Sequence, residues 1–197
     1  IFLNYNYQSY TPDYVPSSWV LDLYSENDMR YNAFFTEMTT GYSHGLTWPL
    51  LTKYYGNESF LSSNILHVSM PKVFRLSEQY LIRAEAYCRK GEYTKAGDDI
   101  TTLRKARYTT YTSTSISAKN WLQTISDERV RELYMEGFRL NDLKRWNMGF
   151  TRASQTSSAK EGSALKVEAS DPLFVWPIPQ HEMNIPGSNM QPNESNR

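Results

Sequence analysis

Three acidic residues at four-residue spacing, Glu128, Glu132 and Glu136, stand among Arg129, Arg131, Arg139, Asp142 and Arg145. On one helix that spacing lays the three carboxylates along a single face. Two carboxylates flanking a cleft are the acid and the nucleophile or base of a glycosidase. Carboxylates that share a helix with interleaved arginines are more simply ion-paired, which holds their pKa low and unsuits them to general-acid work. Other reactive residue types are scattered. His44, His67 and His181 show no HxH, HxxxH or CxxC spacing, so no zinc site is expected. Cys88 is the single cysteine and lies on an apolar helix face, where it reads as a small buried hydrophobe rather than a nucleophile. The Asp98-Asp99 pair reads as a solvated face rather than a cation site. No GxSxG, GxGxxG or phosphate-binding loop occurs. The motifs therefore point to no catalyst, no metal and no cofactor.

Composition narrows the class further. Lys plus Arg and Asp plus Glu both number 21, leaving no net field to favour nucleic acid or an anionic membrane. No apolar run reaches the roughly 18 residues of a membrane-spanning helix. Tyrosines outnumber phenylalanines, 15 to 8, beside 5 tryptophans. Rings with one wet edge suit surfaces that bind planar or sugar-like molecules, although tyrosines also roof cores.

The elements that must position these residues centre on RLSEQYLIRAEAYCRKGEYTKAGDDITTLRKARY, residues 75–108, which reads as two amphipathic helices joined at Gly91. Leu76, Tyr80, Ala84, Tyr87 and Cys88 share one face of the first. Tyr93, Ala96, Ile100, Leu103 and Ala106 share one face of the second. Ala86, Tyr87, Gly91, Tyr93 and Ala96 match the core of a tetratricopeptide pair, which normally stacks on neighbouring helices. Residues 119–146 form a second helical block, with Ser126 and Asp127 available as a cap and Gly137 marking a kink or close contact.

Around these blocks the chain reads as loops. Residues 1–16 are rich in Tyr, Asn, Ser and Pro. Residues 17–24 suggest a short helix capped by Ser17 or Ser18, with Trp19, Val20 and Leu23 inward. Ala33 to Phe35 are strand or buried loop, and residues 39–57 are irregular. A polar loop follows over 58–71, and a Thr/Ser-rich connection follows Arg107. Residues 148–171 form a surface loop. Pro177 and Pro179 forbid a helix through the ending, although Pro179 suits the start of a single turn over Gln180 to Met183.

Three ordered blocks resemble the carboxy-terminal half of the SusD/RagB family of bacterial outer-membrane nutrient-binding lipoproteins. RLSEQYLIRAEAYCRKGEYTKA is similar to its helix pair around Leu81 to Ala86. DERVRELYMEGFRLNDLKRW follows a family motif at Glu128, Arg129, Glu132, Leu133, Glu136, Gly137, Arg139, Asp142, Leu143, Arg145 and Trp146. VWPIPQHEM follows another at Trp176, Pro177, Ile178, Pro179 and Glu182, and an upstream stretch matches at Leu23, Tyr24, Asp28 and Arg30. One departure is the ending, where Pro192 and Asn193 follow Gln191 and the family's Gly-Tyr is missing.

The resemblance implies a mainly α fold: a tetratricopeptide-like scaffold with long irregular loops and few short strands. The whole of 1–197 would be the carboxy-terminal part of one domain, whose amino-terminal part, with a lipidated cysteine, is expected upstream. Within it, residues 1–71 would be loop-rich and ligand-facing, 72–147 the helical scaffold, and 148–197 a surface loop and Pro-rich tail. The implied function is non-enzymatic capture of oligosaccharide at the cell-surface face of the outer membrane and delivery to a SusC-type TonB-dependent transporter. Expected partners are the glycan, that transporter and the remaining part of the same protein, with no nucleic acid. No family motif marks ligand contacts. Ring type and loop context alone select Tyr5, Tyr7, Tyr10, Trp19, Tyr42 and Trp48 as ligand-binding candidates. The helix pair by itself also fits a peptide-binding adaptor, and a helical glycoside hydrolase would need facing carboxylates on separate elements.

Overall fold

The structure, a computed structural model, describes residues 5–6, 11–12, 15–39, 47–53, 72–151 and 166–196. Seven helices and three two-stranded antiparallel sheets are formed among them. The chain divides into two compact units, Ile1–Tyr134 and Met135–Arg197.

The scaffold of the first unit is the helix pair α3 (Leu76–Arg89) and α4 (Tyr93–Lys105) with α5 (Trp121–Leu133) packed against α3. Gly91 makes the turn at φ 78°, a left-handed value that only glycine adopts without a steric cost. Leu81, Ala84 and Cys88 of α3, Ala96, Ile100 and Leu103 of α4, and Ile125 and Leu133 of α5 are all buried. Side chains such as Leu81, Ile100 and Ile125 each contribute about 1.5–3 kcal/mol by leaving water.

Three expectations for these helices need correction. Leu76 is 72% exposed, because the buried stripe of α3 runs through Ser77, Leu81, Ala84 and Cys88, while Ala106 lies exposed just past α4. Ser126 caps nothing: α5 begins at Trp121, and Ser126 is buried in its middle. The block 119–146 is also two helices rather than one with a kink. Tyr134 turns extended (ψ 129°), Met135 takes φ 59° and Gly137 φ 85°, so Glu136 lies off α5 entirely. Cys88 is buried as expected, and burial pushes its thiol up to about 11.

Short elements surround the scaffold. Helix α1 (Ser18–Leu21) follows Ser17, and α2 (Arg30–Phe34) leads directly into β3 (Phe35–Thr39). Strand β4 (Thr47–Leu51) pairs with β3 in the register Phe35 to Leu51 and Met38 to Trp48. Part of the stretch expected to be irregular is therefore a strand. Pro49 fits there because each strand of a two-stranded sheet is an edge strand. Within the expected amino-terminal loop, β1 (Tyr5–Asn6) pairs with β2 (Thr11–Pro12). Val20, Tyr24, Phe35 and Val130 form a core that Leu21, Tyr31, Phe34, Leu51 and Tyr134 enlarge. Tyr24 and Phe35 meet edge to face at 5.5 Å, a favoured ring geometry.

The second unit holds α6 (Arg139–Trp146), ended by Asn147 in the left-handed region with Met148 N donating to Leu143 O at 2.9 Å. Met135 and Leu140 are exposed, whereas Leu143 and Trp146 are buried. Strands β5 (Phe150–Thr151) and β6 (Lys166–Val167) pair, and Leu143, Val167 and Phe174 form the core. Pro179 opens the single turn α7 (Gln180–Met183) as its fixed φ predicts. The polar tail folds back on the apolar run: Asn193 Nδ2 donates to Trp176 O at 2.8 Å, and Asn196 pairs with both backbone groups of Ile178.

Candidate functional site

The carboxylates that suggested chemistry are sealed inside the first unit. Glu128 and Glu132, one turn apart on α5, are both 0% exposed. Arg30 Nη1 bridges them, 2.8 Å from Glu128 Oε1 and 3.1 Å from Glu132 Oε2. Glu128 Oε2 also accepts from Arg104 Nε and Arg131 Nη2, each at 2.7 Å. Glu132 accepts two bonds from Arg107, at 2.9 and 3.0 Å, and one from Arg75 at 3.1 Å. Asp28 holds Arg30 in a two-pronged pair at 2.9 and 2.7 Å. Five guanidiniums thus converge on three buried carboxylates.

Electrostatics follows from that geometry. Burial alone would raise the pKa of Glu128, but Arg131, Arg30 and Arg104 outweigh it and hold the carboxyl at about 2. Burial works against Glu132 in the same way, and the bonds and charge of Arg107, with Arg30 and Arg75, still lower it. Both groups are ionised at neutral pH and shut off from solvent, so neither has a proton to give or a substrate to reach. Their arrangement suits holding segments together. It ties Asp28 and Arg30, Arg75, the end of α4 and α5 into one cluster.

The same segments satisfy the carbonyls at the end of α5, which have no helical partner. Tyr24 Oη donates to Arg131 O at 2.9 Å, Lys53 Nζ to Glu132 O at 2.8 Å, and Arg75 Nη2 to Glu132 O at 2.7 Å. Two cations at a helix carboxy-terminus also oppose its partial negative charge. Asp99, expected on a solvated face, is instead buried and held by Arg83 at 2.9 and 2.6 Å. Among the described residues no group of three potential ligands gathers that would hold a metal ion.

Of the six ring candidates, Trp19 has a described side chain. It projects from α1, 40% exposed, while its neighbour Val20 enters the core. Its expected inward orientation is thus corrected. Tyr5 lies in β1 and Trp48 in β4, where the backbone alone is described. Tyr7, Tyr10 and Tyr42 lie outside the described residues. Sequence reading singled out neither Arg75, Arg104 nor Arg107. Their only local signal is an arginine at the edge of a helical block, and their partners lie 24 to 57 residues away.

A scaffold of stacked antiparallel helices, with short strands and rings around it, is the architecture expected of SusD-type proteins. The chain matches the SusD family over residues 2–194 and belongs to it. Starch-binding protein SusD from Bacteroides thetaiotaomicron is 32% identical over 163 residues, covering 81% of this chain and 27% of that protein. A crystal structure of a putative sugar binding protein from Bacteroides vulgatus matches with a TM-score of 0.72 and 25% identity, covering 98% of this chain and 41% of that one. A SusD superfamily protein from Bacteroides thetaiotaomicron matches with a TM-score of 0.71 and 28% identity, covering 90% and 40%. The chain therefore spans about a quarter to two fifths of the length of these relatives.

Proposed function

We propose that this chain is part of a non-enzymatic glycan-binding protein that captures oligosaccharide and passes it to a SusC-type TonB-dependent transporter. The carrying observation is the family match along nearly the whole chain, with relatives described as binding starch or sugar. Burial of Glu128 and Glu132 under five arginines supports binding over hydrolysis. Trp19, with Tyr5, Tyr7, Tyr10, Tyr42 and Trp48 from the same loop-rich region, supplies rings for stacking on sugar faces. The protein acts at the cell-surface face of the outer membrane, held by a lipid on an upstream cysteine.

Residues 1–197 are, in this proposal, one part of a single longer domain. Val73, Phe74 and Leu76, all largely exposed beside a tetratricopeptide-type pair, are the surface on which the remaining helices of that domain stack. The test is twofold. In gels cast with neutral polysaccharides, the protein is retarded by at least one of them, and tagged protein from a native outer membrane co-purifies with a barrel transporter. Unretarded migration in every polysaccharide contradicts the glycan reading; purification without a transporter contradicts the delivery step.

A further inference from the structure

The Thr/Ser-rich connection between α4 and α5 borders an open polar hollow of about 430 Å³, within the range of about 300–1,000 Å³ typical of small-ligand sites. Arg104 at the end of α4, Tyr111 and Thr114 of the connection, and Thr124 and Arg131 of α5 line it. Its wall is fixed before any ligand arrives. Thr114 N donates to Thr101 Oγ1 at 2.9 Å, Arg104 Nη1 donates to Tyr111 Oη at 2.8 Å, and that hydroxyl lies 2.6 Å from Thr114 Oγ1. At Gly97 a Cβ would come within 2.7 Å of Thr114 O, so the connection reaches α4 only because residue 97 has no side chain. A wall held in this way loses little freedom on binding, which favours affinity.

The chemistry inside is polar, and both lining guanidiniums are already engaged by the protein. Glu128 Oε2 accepts from Arg104 Nε and Arg131 Nη2 from behind, at 2.7 Å each, and Arg131 Nη1 donates to Leu23 O at 3.2 Å. At the rim Asp127 accepts from Gln123 Nε2 at 2.6 Å, leaving the Gln123 carbonyl oxygen open. Among the described residues the hydroxyls of Ser113, Ser115 and Thr124 find no hydrogen-bond partner. The half-buried Tyr111 ring, held between Tyr108 at 5.1 Å and the Arg104 guanidinium 5.6 Å from its centroid, adds apolar surface to the lining. Closely spaced donors and acceptors beside one ring complement a neutral polyhydroxylated ring, whereas an anion would have to compete with Glu128 for guanidinium donors and a cation would meet two arginines. We propose that this hollow binds a single neutral pyranose unit, at a place separate from the aromatic candidates before residue 60. The proposal rests on the glycan-binding reading above.

Threonine-methyl and tryptophan-indole NMR spectra of the intact protein, titrated with methyl α-glucoside, methyl α-mannoside and methyl β-galactoside, test it. At least one sugar is expected to shift the Thr114 and Thr124 methyls saturably, and glucuronate and glucosamine more weakly. Gln123→Ala and Thr124→Val, the latter read at Thr114, each weaken binding by about threefold to tenfold, the effect of one lost hydrogen bond. Gly97→Ala, which displaces the wall without removing a polar group, abolishes the shifts. Shifts at Trp19 with none at Thr114 and Thr124 overturn the site while glycan binding stands, and silence at all three overturns both. Shifts at Thr114 that ignore Gln123→Ala and Thr124→Val place the sugar elsewhere and also overturn the site.

Discussion

Arg104 and Arg131 each touch two regions that could hardly differ more. Behind them lies the dry cluster of Glu128, Glu132, Arg30, Arg75 and Arg107, where every carboxylate oxygen is bonded and both glutamates are sealed. In front of them lies the open hollow, where hydroxyls stand unpaired at the surface. Both regions are rich in polar groups and lie along the same helix. The difference is where the partners come from. In the cluster the protein supplies them all, so charge density becomes cohesion. In the hollow the protein supplies only the framework, so polarity remains for a ligand. A concentration of acidic and basic residues is therefore no sign of chemistry until burial and partners are known.

The largest break in that contrast is to remove one partner inside the cluster. Glu132→Ala leaves Arg30, Arg75 and Arg107 facing a void, and breaking a buried pair in this way costs about 3–5 kcal/mol. Urea denaturation should show the midpoint falling accordingly, and a loss below about 1 kcal/mol would mean the cluster does not hold the unit together. Acid reaches the same contrast without mutation. Glu128 has a folded pKa of about 2 against an ordinary 4.5, so its contribution is complete above about 4.5 and is lost as pH falls toward 2. That interval corresponds to about 3 kcal/mol of stability. Glu128→Gln should flatten this part of the stability-against-pH curve, and an unchanged slope would assign the acid sensitivity to other carboxylates.

On the ligand side the expected effects are smaller and spare the fold. Trp19→Ala removes a ring that is 40% exposed, so stability should shift by less than about 1 kcal/mol. Glycan affinity, by contrast, should fall about tenfold, corresponding to about 1.4 kcal/mol. Equal affinity for variant and parent in a titration would remove Trp19 from the site.

The sequence was most legible where a regular period meets a distinctive spacing. The helix pair at Gly91 and the turn opened by Pro179 both follow from local rules that need no distant partner. The buried side of α3 was misjudged at Leu76 because Leu76 and Leu81 fit two adjacent stripes, and only packing against α4 and α5 decides between them. The break after Leu133 was obscured by Met135, which takes a positive φ that its residue type does not announce. Strand β4 was hidden by Pro49, a residue that normally argues against a strand. For the site, pairing of the α5 carboxylates was foreseeable from their own arginines. Most of the guanidiniums that bind them come from distant segments, and Arg30 is 98 residues from Glu128. The hollow left no local motif at all: Gly97 and Thr114 acquire meaning only when the connection lies across α4.

The most direct test of the account is isothermal titration of the intact protein with a panel of neutral polysaccharides, with reducing-sugar release followed in the same samples. Saturable heat with no released sugar is the expected result, since the paired glutamates of α5 have no access to a substrate. Released sugar that disappears in Glu128→Gln or Glu132→Gln, with folding retained, would contradict it and turn the buried cluster into an active site.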